Sequence, residues 1–182
     1  RRYNGKPLVN SVNGKEESLE QVLPLVAKYG GVLIALTLDE AGIPEEADGR
    51  IRIAKKIIER AASYGIARKD IVVDPLAMTI SSDTTSALTT LACIRRLTQE
   101  LQVHTSLGVS NISFGLPKRE MITSTFFAMA LANGLSAAIM NPASAEMMKV
   151  YHCAKALQNQ DPNCQAYIAY ADTVTTEVKS TA

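Results

Sequence analysis

The sequence predicts an α/β protein assembled from five βα units that all run in the same sense, on three observations. Apolar runs of strand length alternate with amphipathic helical segments along the whole chain. Gly31 to Leu38 is continuously apolar apart from Thr37, as expected for a strand buried on both faces of a parallel sheet. Three apolar runs each stop at a polar tip: Pro7 to Asn10, Ile71 to Asp74, and Thr105 onward to Ser110 and Asn111. Such units close either as an open flavodoxin-like sheet or as five-eighths of a (β/α)8 barrel, and the residues alone leave both open. A complete barrel takes about 250 residues, so this chain is short of one by roughly three units.

The elements follow in order. Pro7 to Asn10 is a short strand. Ser18 is placed to cap a helix whose apolar positions Leu19, Val22, Leu23 and Val26 keep helical spacing, with Gly30 near its stop. The strand Gly31 to Leu38 comes next, then an acidic loop from Asp39 to Gly49, in which Asp48 is placed to cap the following helix. That helix carries Ile51, Ala54, Ile57, Ile58, Ala61 and Ala62 on one stripe, with Lys55, Lys56, Glu59 and Arg60 facing water. Ile71 to Val73 is the third strand, Thr84 to Leu101 a helix, and Thr105 to Val109 the fourth strand. A glycine-and-proline loop leads into a helix from Arg119 to Asn133, stopped at Gly134. Ser136 to Met140 is the last strand, and Ala145 to Gln158 the last helix. The polar, Thr-rich tail 173–182 reads as the start of a linker, leaving 1–172 as one domain.

Composition removes several classes of function. A formal charge of +1 with interspersed signs lacks the basic footprint of a nucleic-acid binder. No apolar run reaches the roughly 18 residues of a membrane span. The start, Arg1 to Pro7, is polar, shows no signal peptide and resembles the middle of a longer protein. Cys93, Cys153 and Cys164 are too widely spaced for a Cys-x-x-Cys metal pair, and their odd number offers no disulfide framework. They read as reduced thiols in the cytoplasm, with Cys93 a small core hydrophobe. No GxGxxG or P-loop motif occurs, which weakens a nucleotide-binding reading. No metal site is expected.

In a βα barrel every strand's C-terminal end opens on one mouth, where functional residues gather. Amide and carboxylate tips around one mouth suit a flat, heteroatom-rich ligand. Asn10 and Asp74 also fit simple turns, since Asn after a strand and Asp before Pro75 both favour them. Arg119 also fits a solvated helix start. Asp39 and Glu40 suggest a carboxylate pair, but a solvated loop accounts for them better. His104 lies at the wrong end of its strand for catalysis. His152 and Cys153 are isolated on the last helix, and Met129, Met140, Met147 and Met148 suit packing.

Four segments carry a family resemblance: Leu8 to Val12, Leu36 to Pro44, Val73 to Leu76, and Gly108 to Pro117, the last being the most specific. They resemble the pterin-binding methyltransferases, meaning the methyltetrahydrofolate:corrinoid methyltransferases and the folate module of cobalamin-dependent methionine synthase. The resemblance implies a TIM barrel represented by strands four to eight, with strands one to three absent, including a pterin-holding aspartate of the third. It implies that Asn10 and Asp74 bind the pterin and that Asn111 lies near N5, the atom bearing the methyl group, as the catalytic residue. Gly108, Ser110 and Arg119 would line the same pocket or its loop, while Phe114 stands where some relatives carry a polar residue.

The implied substrate is methyltetrahydrofolate, whose methyl passes to the Co(I) of a corrinoid carried by a partner domain or protein, in a homodimer or a multi-domain parent. The polar tail resembles the linker toward such a module. A carboxylate accepts two donors of a pyrimidinone edge at once, and an asparagine complements its mixed donor and acceptor part. A neutral Asn111 would donate or relay a hydrogen bond that strengthens as the C–N bond breaks. Dihydropteroate synthase is the alternative pterin enzyme. It usually carries a lysine-bearing loop and an Arg-x-His motif where this chain reads Ser110 to Ser113 and Ile139 to Pro142. A non-catalytic assembly module is the alternative of another class, because missing strands would leave sheet edges exposed.

Overall fold

A computed structural model describes residues 4–180. Its strands are β1 (Leu8–Asn13), β2 (Val32–Leu36), β3 (Ile71–Asp74), β4 (His104–Gly108) and β5 (Ala137–Ile139). Its helices are α1 (Glu16–Tyr29), α2 (Ala47–Ser63), α3 (Ser86–Gln99), α4 (Arg119–Ala132), α5 (Ala145–Leu157) and α6 (Gln165–Ser180). All neighbouring strands pair in parallel, in the order β1-β2-β3-β4-β5. An open doubly wound sheet reverses its strand order at a switch point, and a barrel does not. This unreversed order settles the alternative left open by the residues: the sheet is the arc of a barrel.

The register sorts the side chains into two faces, because partners in adjacent strands point the same way. Leu33, Ala35, Ile71 and Val73 are buried with Leu19, Leu23, Ile57 and Ala61 of α1 and α2 in one core cluster. Leu107 of β4 is buried with Ile94 of α3, Phe126, Phe127 and Ala130 of α4, and Met147 of α5 in a second. The other, concave face carries the row Asn10–Ile34–Val72–His104 and, two residues nearer the strand ends, the pair Leu36–Asp74. At the two edges of the arc this face is open, with Leu8 60% and Ile139 55% exposed.

Several boundaries differ from the sequence expectation for local reasons. Ser18 does not cap α1, which begins at Glu16; its hydroxyl instead accepts the Asn13 N–H. Asp48 lies inside the first turn of α2 and pairs with Arg96. α3 begins at Ser86 rather than Thr84, because Thr85 turns on the carboxylate of Asp83. β4 stops at Gly108, and Val109–Ser113 coils into a 3-10 turn. After α5 the chain forms α6, whose first turn is held by Asp161 accepting the N–H groups of Ala166 and Tyr167. The expected linker boundary at residue 172 therefore falls inside this helix, and 181–182 lie outside the described residues. Among the described residues no helix is long and apolar enough to cross a membrane.

Candidate functional site at the carboxyl ends of the strands

The site is assembled where β3 and β4 run out. Asp74 ends β3 on the concave face and is 7% exposed. Its Oδ1 accepts the N–H of Leu76 at 2.8 Å, while Oδ2 has no partner among the described residues. Burial raises its pKa from 3.8 to about 6, against the opposing pull of the Leu76 N–H. The Asp74 carbonyl is tied to the buried Thr37, just past the end of β2, whose N–H and hydroxyl both donate to it. The carboxylate thus sits on a fixed backbone, facing the hollow.

The turn after Asp74 has an uncommon shape. Leu76 adopts the left-handed region, φ 64°, which costs a non-glycine residue about 1–2 kcal/mol and needs surrounding support. The support comes from α2. Arg50, 2% exposed, donates from Nη1 to the carbonyls of Pro75 (2.8 Å) and Leu76 (2.7 Å), and from Nε to that of Pro44 (2.8 Å). Thr90 adds its hydroxyl to the Leu76 carbonyl at 3.3 Å. Desolvation pulls the Arg50 pKa below its ordinary value.

Asn111 lies in the 3-10 turn after β4, exposed at the mouth. Gly108 makes room for it: a Cβ there would meet the Asn111 Nδ2 at 3.2 Å. Gly108 therefore matters to the placing of Asn111 by its missing side chain. Arg119 braces this turn, donating from Nη2 to the Ser110 carbonyl (2.7 Å) and from Nε to the Ser113 hydroxyl (3.2 Å). Its guanidinium also lies 5.3 Å from the centre of the Phe114 ring, which is 66% exposed. The loops of Asp74 and Asn111 are stitched together. Thr79 and Ser81 donate their hydroxyls to the Phe114 carbonyl at 2.6 and 2.9 Å, and the Ile80 N–H meets the Ile112 carbonyl.

Asn10 is exposed on the concave face of β1, just before a register irregularity that ends at Val12. The structure therefore puts Asn10, Asp74 and Gly108 on one face of the arc and Asn111 above its rim. Ser110 and Arg119 line a separate recess of about 260 Å³ with Met140 and Asn141. A larger recess of about 760 Å³ lies between Pro44, Arg50, Met78 and Thr89. Asn10 and Asp74 border neither.

The remaining candidates fall elsewhere. Asp39 and Glu40 are loop residues that accept the N–H groups of Ala41 and Glu16. His104 is exposed at the amino end of β4, and His152 stacks on Tyr170 at 4.4 Å. Cys93 is buried, with burial pushing its thiol up to about 11. Among the described residues no group of three or more His, Cys, Asp and Glu side chains is placed to hold a metal ion. Arg50 was missed by sequence reasoning, although a signal existed: it falls on the apolar stripe with Ala54, Ile57 and Ala61 at helical spacing.

A parallel arc with a buried carboxylate ending β3 and an asparagine in the turn after β4 defines the class of the chain as a partial βα barrel. The sequence places it more closely: residues 2–141 match the model of the pterin binding enzymes, and the chain belongs to that family. It is 33% identical over 163 residues to the methylcorrinoid:tetrahydrofolate methyltransferase of Eubacterium limosum, covering 88% of this chain and 60% of that protein. It is also 33% identical over 150 residues to the methionine synthase of Mycobacterium tuberculosis, covering 75% of this chain and 13% of that protein. The chain thus spans about three fifths of the first relative and about an eighth of the second. In fold it matches the crystal structure of Yersinia pestis dihydropteroate synthase, with a TM-score of 0.67 at 18% identity, over 85% of this chain and 65% of that one.

Proposed function

We propose that this chain binds methyltetrahydrofolate on the concave face of its arc and takes part in moving the N5 methyl group between that folate and a corrinoid. The observation that carries the reading is Asp74, a buried carboxylate with one oxygen fixed and the other without a partner among the described residues, on the concave face. A folate's pyrimidinone edge offers adjacent N–H donors to such a group, and the charge-assisted pairing holds the ring in one orientation. Asn10 would complement the mixed part of the edge. These contacts serve ground and transition states alike, so they bind and orient.

Asn111 has the catalytic role. Its side-chain amide donates to N5, or relays a donor to it, as charge changes there, and Gly108 leaves it room to do so. Arg119 fixes the turn that carries Asn111, and Ser110 shares that turn. A corrinoid, brought by a partner domain or protein, supplies the cobalt centre that gives or takes the methyl group. The name of the Eubacterium relative states transfer from the methylcorrinoid to tetrahydrofolate, whereas the sequence expectation ran toward Co(I). The same groups serve both directions by microscopic reversibility. Residues 1–172 would form the C-terminal part of the barrel, and the end of α6 would lead toward the corrinoid-bearing module. The protein would work in the cytoplasm, as a homodimer or within a multi-domain parent.

The test is methyl exchange between methyltetrahydrofolate and reduced free cobalamin, followed by the cobalamin spectrum, with intact protein and with Asn111→Ala. Exchange that is lost in the variant supports the reading. Formation of dihydropteroate from a pterin pyrophosphate and p-aminobenzoate, without methyl exchange, would replace it by the synthase. Neither reaction would leave a non-catalytic module.

A further inference from the structure

We infer that Arg50 is a positioning residue for pterin recognition, holding the left-handed turn at Leu76 that aims the Asp74 carboxylate into the hollow. The inference rests on the proposed role of Asp74 and adds a residue that touches no ligand. Three features of the geometry support it. First, Arg50 is 2% exposed and pairs with no carboxylate among the described residues; its donors go to three backbone carbonyls and, at 3.5 Å, to the Thr90 hydroxyl. A buried cation whose donors go to backbone carbonyls, two of them in the Leu76 turn, is there for the shape of that turn and of the loop beside it.

Second, the Leu76 peptide is held at both ends. Its N–H reaches Asp74 Oδ1 at 2.8 Å, and its carbonyl receives Arg50 Nη1 at 2.7 Å. Freeing the carbonyl lets Leu76 leave the left-handed region. Its N–H then swings off the carboxylate, which loses its one hydrogen bond among the described residues. Third, Nε reaches back to Pro44 in the loop between β2 and α2, so one rigid plane fixes two neighbouring loops at the mouth. A lysine carries a point charge in place of that planar fork and cannot reproduce it.

The experiment measures methyltetrahydrofolate affinity by calorimetry, and thermal unfolding, on the intact protein. The variants are Arg50→Met, Arg50→Lys, Asp74→Asn, and each Arg50 change combined with Asp74→Asn. Expected is a loss of at least tenfold in affinity for both Arg50 variants. Arg50→Lys should unfold close to the wild type yet stay weak in binding. In the Asp74→Asn background either Arg50 change should cost less than twofold more, because Arg50 acts through that carboxylate. If Arg50→Met fails to fold, the Arg50→Lys cycle carries the same comparison.

Affinity that recovers in Arg50→Lys in step with the melting temperature would overturn the inference. So would losses that multiply in the double variant, which would mark a general structural tie. Failure of the underlying reading looks different: Asp74→Asn would bind as well as the wild type, or the wild type would not bind at all, and the role of Arg50 would fall with that of Asp74.

Discussion

Replacing Asp74 by Asn should make the empty protein more stable while making it a poorer binder. The carboxylate is buried on a fixed backbone, and burial raises its pKa from 3.8 to about 6. At roughly 1.4 kcal/mol per pKa unit, ionising it costs the fold about 3 kcal/mol. The sign follows from the raised value. The folded state holds its proton more tightly than the unfolded chain, so the group is harmless below pH 3.8, and stability falls as pH rises through the window up to about 6. An asparagine keeps an oxygen for the Leu76 N–H and carries no charge to desolvate. At pH 8 the variant should therefore melt roughly 6–12 °C higher, a chain of this size gaining about 2–4 °C per kcal/mol. The gain should be about halved near pH 5 and small at pH 4. Folate affinity should move the opposite way at pH 8, and wild-type affinity should weaken as pH drops through about 6. Thermal unfolding of both proteins across this range is the assay. An unchanged or lower melting temperature at pH 8, or a gain that does not shrink in acid, would refute the reasoning.

Other outcomes follow from the same structure. Asn111→Ala should lower kcat by roughly a hundredfold with a much smaller change in KM, the mark of a contact made chiefly in the transition state; steady-state kinetics of methyl exchange reads it. Gly108→Ala puts a methyl group 3.2 Å from the Asn111 amide, so it should copy the kinetic defect of Asn111→Ala while the melting temperature barely moves. Thr79→Val combined with Ser81→Ala removes both hydroxyl donors to the Phe114 carbonyl. It should cost roughly 1–3 kcal/mol, with faster amide exchange confined to 79–82 and 112–116. Leu107→Ala, at a position with no exposure, should cost roughly 2–5 kcal/mol in denaturant unfolding.

Much of the fold was legible because parallel strands buried on both faces write themselves as unbroken apolar runs. Gly31 to Leu38 is the clearest case, and β2 falls within it. Strand order was not legible. Period and length are the same for an arc of barrel and an open sheet, and only the pairing of β1 through β5 in sequence order decides between them. Helix starts were misplaced where a polar side chain had a better partner than a helix end, as with Ser18 on Asn13 and Asp48 on Arg96. α6 was hidden by its composition: its residues up to Val174 are largely exposed and carry little apolar stripe.

For the site, the polar tips of strands pointed to Asp74 and Asn111, because an unpaired acid or amide ending an apolar run needs a reason to be there. What sequence could not supply was the support around them. The Leu76 turn, the hydroxyls of Thr79 and Ser81, and the fork of Arg50 act through contacts 14 to 40 residues apart in the chain. Only Arg50 left a trace, as a charge on the buried stripe of α2.

The central claim is that the hollow of the arc receives a reduced folate by its ring, and a structure of the protein with methyltetrahydrofolate tests it most directly. The account expects the pyrimidinone edge within hydrogen-bond distance of the Asp74 carboxylate and N5 turned toward Asn111. Density for the ring anywhere else, such as the recess between Pro44 and Thr89, with Asp74 facing only solvent, would contradict it.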